Sequence, residues 1–322
     1  MNDGPALSSA SFGANPVPPA CLLMGQAATL RRLAERRRGR SGLGAPRTFA
    51  FASAARGMGK TTLAANLAVD LQRRGRRVVV IDAAPGDSGV AALLGAGPRG
   101  TFAGVVRGER SAREAAASAS CGVRVVAAVP GIEELPNLTP WQQERLWRSF
   151  AELEQDCDLV LVDTVGGDTP ESLSALAAAG EVLLVAVPGP EAAAETYALA
   201  KAVSQLRPAA AVHLVMNRTG PRAEAALVAR RVADTARRFL GVEVETLGFV
   251  PDDPHVAAAE VAGEPFVAAH PRCQAARCVA AIADRLCGPA TASPRASLAQ
   301  CLRGLSAIAA LDAGVRSAVL RS

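Results

Sequence analysis

The sequence is short of aromatic residues, of lysine and of paired cysteines, and each shortage removes a class of explanation. Aromatic side chains make up 3% of the chain although apolar residues reach 50%. A core of that composition has to be built from Ala, Val and Leu. With 322 residues there is enough chain for one large α/β domain with appendages. Lys60 and Lys201 are the only lysines, every other long basic side chain being Arg, so a lysine kept inside a glycine-containing loop stands out. The seven cysteines (Cys21, Cys121, Cys157, Cys273, Cys278, Cys287, Cys301) are odd in number, scattered, and free of any Cys-x-x-Cys pair. That pattern predicts reduced thiols rather than a disulfide framework. There is no apolar run long enough for a bilayer span and no basic-then-apolar export pattern at the N-terminus, so the expectation is a cytoplasmic protein. The net charge of +5 is mild and does not by itself argue for a nucleic-acid partner.

What is present is organised around residues 47–94. Arg47 to Ser53 reads as a short, almost wholly apolar strand, and Arg77 to Asp82 as a second one. Between them lie Ala54-Ala55-Arg56-Gly57-Met58-Gly59-Lys60-Thr61-Thr62 and a helical pattern ending near Arg74-Gly75. Strand, Gly-Lys-Thr loop, helix and strand make a βαβ unit with a phosphate-binding loop. Gly57 and Gly59 let the backbone N–H groups curl toward phosphate oxygens, and the helix N-terminus adds its positive end. Lys60 would neutralise the β- and γ-phosphates, with the Thr61 hydroxyl on Mg²⁺. Ala54 stands where the general pattern wants glycine. The plainer alternative is an ordinary strand-to-helix turn with a threonine cap.

Further buried runs at Val123–Val129, Asp158–Asp163, Glu181–Val187, Ala211–Asn217 and Val244–Val250 alternate with helical patterns. Those helices are expected at Val90–Leu94, Thr101–Val106, Thr139–Phe150, Glu191–Leu206, Ala223–Leu240 and His270–Leu286. The alternation predicts an α/β fold with a doubly wound, mostly parallel sheet. Ligands of such sheets bind at the carboxyl ends of the strands. That edge collects Asp82, Asp163 with its following glycines, Asn217 and the Pro251-Asp252 turn. Asp163 is the expected Mg²⁺ partner, Asp82 a weaker catalytic candidate, and Asn217 with Pro251 and Asp252 could read an adenine. Helix or strand-end capping is the competing reading for each aspartate and for Asn217. His213 falls inside a strand as a core residue, and His255 and His270 have no ligand-like spacing, so no metal beyond nucleotide-bound Mg²⁺ is expected.

Flanking segments complete the organisation. Residues 1–46 read as a flexible arm with a short helix at 24–34, residues 47–287 as the nucleotide domain, and 288–322 as a linker plus terminal helix. In the arm, Ala27, Leu30 and Ala34 share one side and Arg36, Arg37, Arg38 and Arg40 follow. A docking peptide and a merely solvated arm both fit that pattern. At the other end, Leu298, Leu302, Leu305, Ile308 and Leu311 recur at helical steps. Few cations and no anchoring aromatic accompany them, so a partner helix or a fold-back competes with membrane contact.

Together these motifs resemble the MinD/ParA family of P-loop ATPases across roughly residues 24–287, and within it the branch of flagellar number regulators (FlhG, FleN or YlxH). Gly25-Gln26-Ala27-Ala28-Thr29-Leu30-Arg31 is similar to the Asp-Gln-Ala-x-x-Leu-Arg motif of that branch, with Gly25 in place of Asp. The resemblance implies that Gln26, Leu30 and Arg31 contact the signal-recognition-type flagellar GTPase FlhF. It also implies ATP/ADP and Mg²⁺ as cofactors, an ATP-dependent homodimer, and contacts with flagellar C-ring proteins or a flagellar transcription regulator. A peripheral position at the inner membrane or cell pole, through the C-terminal helix, is implied as well. The chain departs from the family at two places. The family's first loop lysine, which reaches the partner subunit's phosphates, is absent, Ala54, Ala55, Arg56 and Gly57 filling the first four loop positions. The family's Asp-x-Asp is here Asp82-Ala83-Ala84. These losses remove two supports of phosphoryl transfer, each worth about 3 kcal/mol of barrier. Either Arg56 supplies the missing charge, or it obstructs the loop and hydrolysis is lost. A ParA-like or cellulose-synthesis-associated positioning ATPase, and a nucleotide-free scaffold, are the alternatives in function.

Overall fold

The computed structural model describes residues 46–83, 89–97, 100, 102–127, 137–164, 166, 176 and 179–288. All belong to the compact unit Ala45–Ser322. Gln26, Leu30, Arg31, Ala84 and the 297–319 segment lie outside the described residues.

Eight strands form one sheet in the order β3-β4-β2-β5-β1-β6-β7-β8. They are β1 (Arg47–Ala52), β2 (Val78–Asp82), β3 (Ala117–Ser118), β4 (Arg124–Ala127), β5 (Leu159–Asp163), β6 (Glu181–Ala186), β7 (Ala211–Thr219) and β8 (Val244–Pro251). All neighbours run parallel except β3 against β4. The helices are α1 (Lys60–Arg73), α2 (Val90–Leu93), α3 (Phe102–Arg107), α4 (Ala112–Ala115), α5 (Pro140–Glu154), α6 (Ala192–Leu206), α7 (Arg222–Leu240), α8 (Pro254–Ala262), α9 (Phe266–Ala269) and α10 (Gln274–Cys287).

Both faces of the central strands are buried, which is why they read as unbroken apolar runs rather than alternating ones. Successive residues serve opposite layers. Phe49, Phe51, Val80 and Leu161 join α1 and α10 in one cluster, while Ala50, Ala52, Ile81 and Val160 join α5, α6 and α7 in the other. On the first face, α1 contributes Ala64, Ala65 and Ala68 to the cluster that holds Phe49 and Phe51. Small helix residues thus let the few large aromatics be buried, at about 2–3 kcal/mol each. Two helices carry reciprocal caps, Ser111 with Glu114 before α4 and Thr139 with Gln142 before α5.

The sequence expectations need correcting at several elements. The expected helix from His270 to Leu286 starts later: α10 begins at Gln274 with Cys273 as its N-cap, and His270 is the C-cap of the short α9 before it. Pro271 lies between them, and the residue before a proline is pushed out of helical geometry. The strand Ala117–Ser118 was not expected at all, because two residues carry no periodicity. Helices α4, α8 and α9 were also missed; α4 and α9 have four residues each, too few for a periodic signal, and α8 offers no helical stripe.

At the amino ends of the central strands lies a buried ionic cluster. Arg47 donates to both carboxylate oxygens of Glu181, at 2.6 and 2.7 Å. His213 Nε2 is 3.0 Å from the same carboxylate and its Nδ1 3.2 Å from Glu245. Arg47 also donates to the carbonyl of Leu286, joining β1 to the end of α10. His213 is therefore a core histidine paired with Glu181 through Nε2, while its buried Nδ1 faces Glu245 without a hydrogen bond.

Candidate functional site

The loop from Ser53 to Gly59 turns the chain from β1 into α1. Only Gly57 (φ +77°) and Gly59 (φ +84°) in it take left-handed backbone; Ala54, Ala55 and Arg56 do not. Ala54 and Arg56 therefore occupy positions where the loop asks for no special conformational freedom, and they impose no backbone strain. Helix α1 begins without a side-chain cap and without an acid in its first turn. Its leading N–H groups and positive dipole end are left to an anion. Arg56 is exposed and makes no hydrogen bond or ion pair among the described residues.

Lys60 is 6% exposed, and its Nζ donates to Ser53 Oγ at 2.7 Å. Burial lowers its pKa; Asp163 opposes that shift and Arg56 adds to it. A Cβ at Gly166 would lie 2.8 Å from both Lys60 Nζ and the Ala55 carbonyl oxygen, so the chain after β5 closes on the loop only as glycine. Thr61 Oγ1 donates to Asp163 Oδ2 at 2.7 Å. Asp163 itself is fully buried, and its Oδ1 has no hydrogen-bond partner. Burial pushes its carboxyl up to about 7 against the Thr61 hydrogen bond, with Asp82 adding to the rise and Lys60 opposing it. Asp82 and Asp163 are directly paired across β2 and β5.

This donor set fits Mg²⁺. A dry carboxylate oxygen without a partner lies beside a threonine hydroxyl and a second carboxylate, the hard oxygen environment that such an ion takes together with phosphate. Asp82 has a further duty. Its Oδ2 accepts the backbone N–H of Ala91 at 3.1 Å, and a Cβ at Gly89 would come within 2.3 Å of that oxygen. The side chain thus anchors the start of α2.

On the other side of the loop, the pairing of β7 with β8 shifts register after Met216, and Arg218 adopts φ +49°. Among the described residues it is the one non-glycine with positive φ. Such bulges re-aim side chains beside functional sites. Here Asn217 Nδ2 donates to the Met58 carbonyl at 2.9 Å, and it would lie 2.3 Å from a Cβ at Gly59. A cleft of about 190 Å³ opens beside it, lined by Gly59, Thr62, Asn217, Arg218, Pro251 and Asp252 among others. Asp252 is exposed at its rim, while Asp253 caps α8 through the His255 N–H.

The fold therefore gathers Gly57, Met58, Gly59, Lys60, Thr61, Thr62, Asp82, Asp163, Asn217, Pro251 and Asp252 at one sheet edge. Sequence reasoning missed Ser53 and the strained Arg218, and it had Gly166 only as one of the glycines that follow Asp163. Its position directly after the strand that enters a Gly-Lys-Thr loop could have flagged Ser53; nothing local marks Arg218.

Residues 49–266 match the model of the CobQ/CobB/MinD/ParA nucleotide-binding domain. The chain belongs to that family. Antiactivator FleN of Pseudomonas aeruginosa is 31% identical over 75% of this chain and 87% of its own length. An uncharacterised ATP-binding protein of Methanocaldococcus jannaschii is 29% identical over 74% of this chain and 87% of its own. Among solved structures, the cell division ATPase MinD of Pyrococcus furiosus superposes with a TM-score of 0.59 at 25% identity, covering 74% of this chain and 98% of that one. Pyrococcus horikoshii MinD complexed with Mg-ADP gives 0.59 at 22% identity over 75% and 96%, a likeness of fold. The P-loop fold and the MinD/ParA membership implied by the motifs are thus the ones found.

Proposed function

We propose that this MinD/ParA-family chain is a nucleotide-dependent regulator of flagellar number or placement, and that it hydrolyses ATP very slowly or not at all. One observation carries the nucleotide reading: the buried Asp163 oxygen without a partner, held beside Thr61 and Lys60 at the head of an uncapped helix. The likeness to antiactivator FleN supports the flagellar context.

Lys60 and the N–H groups of residues 57–62 hold the phosphates of ATP or ADP, and Asn217 with the Pro251-Asp252 turn reads the base. Mg²⁺, when bound, is held by Thr61 and Asp163 and supplies charge neutralisation at the phosphates. The slow turnover follows from Asp82 being committed to α2 and from Ala83-Ala84, which give no second carboxylate to orient water. Arg56, free and exposed beside the loop, is the residue available to a second copy's phosphates in an ATP-dependent dimer. Gln26, Leu30 and Arg31 engage and stimulate the GTPase FlhF. C-ring proteins or a flagellar transcription regulator are further partners. The 297–319 segment gives peripheral contact with the inner membrane or pole. Among the described residues no helix is long and apolar enough to cross a membrane.

Calorimetry with ATP and ADP in Mg²⁺, on wild type and Lys60→Ala, tests the reading, with light-scattering mass on the same samples. The expected result is binding that the substitution abolishes and a dimer seen only with ATP. No binding by the wild type would make the protein a nucleotide-free scaffold, and brisk ATP turnover abolished by Lys60→Ala would remove the hydrolysis-deficient part.

A further inference from the structure

The chain has three histidines, and the fold brings two of them together. His255 in the first turn of α8 and His270 at the end of α9 have ring centroids 4.9 Å apart, tilted by 58°. Asp253 fixes the first ring: its Oδ1 lies 2.8 Å from His255 Nδ1 and also accepts the His255 backbone N–H. The other oxygen, Oδ2, accepts the backbone N–H of Ala275, so the carboxylate is locked by α10. A carboxylate on Nδ1 requires that nitrogen to carry the hydrogen, so Nε2 is the ring nitrogen a metal would take, the outer-shell arrangement of a metal-bound histidine. His270 is pinned through its backbone, its N–H bonded to Phe266 and its carbonyl accepting from Cys273. Its ring nitrogens make no hydrogen bond among the described residues.

We infer that His255 and His270 form a two-imidazole site for a borderline divalent transition metal such as Zn²⁺, Co²⁺ or Ni²⁺, with water completing the shell. Two imidazoles bound at about 2.1 Å put each ring centre about 3.2 Å from the ion. A separation of 4.9 Å is the one such a pair has when Nε2 of His255 and a ring nitrogen of His270 turn toward one ion. Ring stacking alone also gives centroids at this distance. The buried carboxylate on one ring and the unbonded nitrogens of the other favour ligation. Among the described residues no three His, Cys, Asp or Glu side chains converge as a full cage, so the site is open and its ion exchangeable. It is separate from the Asp163–Thr61 pair, but Pro254, Val256 and Phe266 of the same two helices line the base-side cleft.

The test is titration of full-length, nucleotide-free protein with Co²⁺, read by visible absorption and by the imidazole resonances in NMR. One equivalent should bind, broadening the His255 and His270 signals and sparing those of buried His213. His255→Gln and His270→Gln should each weaken binding at least about tenfold, with circular dichroism and melting midpoint unchanged. Cys273→Ser, which keeps a helix cap, should leave binding intact. No saturable binding, binding indifferent to either histidine variant, or binding lost with Cys273→Ser would overturn the assignment.

Discussion

Two charge clusters lie at opposite ends of the same central strands, and their buried carboxylates are satisfied to different degrees. At the amino ends, Glu181 is shared by Arg47 and His213, and His213 in turn faces Glu245. At the carboxyl ends, Asp163 is buried beside Asp82 with one oxygen left without a partner. The backbone differs too: Gly57, Gly59 and Arg218 around the second cluster all take left-handed φ. In the first cluster both Glu181 oxygens have partners and only His213 Nδ1 lacks a hydrogen bond; in the second a carboxylate oxygen lacks one, an arrangement that a bound cation would satisfy.

Removing a partner from each end should separate the two roles. Glu181→Ala leaves the part-buried Arg47 guanidinium without its carboxylate and should cost about 3–5 kcal/mol of stability by denaturant unfolding, with nucleotide affinity unchanged in the folded fraction. Lys60→Ala should do the reverse, weakening ATP and ADP binding at least about 100-fold, roughly 3 kcal/mol, with a far smaller change in nucleotide-free stability. Were both variants to lose stability equally, the division between the clusters would fail.

Smaller effects sharpen the contrast. Gly59→Ala meets both a left-handed φ and the Asn217 amide, so a loss of about 1–3 kcal/mol together with weaker nucleotide binding is expected. The pH dependence of the amino-end cluster has a defined sign. Burial would raise the Glu181 carboxyl, but His213 and Arg47 outweigh it and hold the pKa below its ordinary 4.5. Its stabilisation is then fully present above pH 4.5 and lost as pH falls through the folded value. Glu181→Gln should flatten an acid unfolding curve in that range. Arg56→Ala should be the mildest, within about 0.5 kcal/mol in stability because the side chain is exposed and unpaired. Any effect on the mass of the ATP-bound species would then report contact with a second copy.

The nucleotide edge was legible in the sequence to the extent that its signals are local. Arg47–Ala52, Val78–Asp82 and Leu159–Asp163 are buried on both faces, so they announce themselves as apolar runs, and a Gly-Lys-Thr after the first of them fixes where α1 begins. Asp163 could be picked out because it closes such a run. The ends of elements were harder: the helix expected from His270 begins only at Gln274, because His270 closes α9 and the residue before Pro271 is pushed out of helical geometry.

What the sequence determined by itself is the doubly wound sheet and the phosphate loop, because periodicity, glycine placement and one retained lysine act over a few residues. Tertiary structure alone decided which charges are satisfied. The pairing of Asp82 with Asp163, the closure of Gly166 over Lys60, the bulge that swings Asn217 onto Met58, and the meeting of His255 with His270 each depend on register or packing between distant segments. No local pattern encodes that register; it is fixed only when both faces of the sheet find their cover.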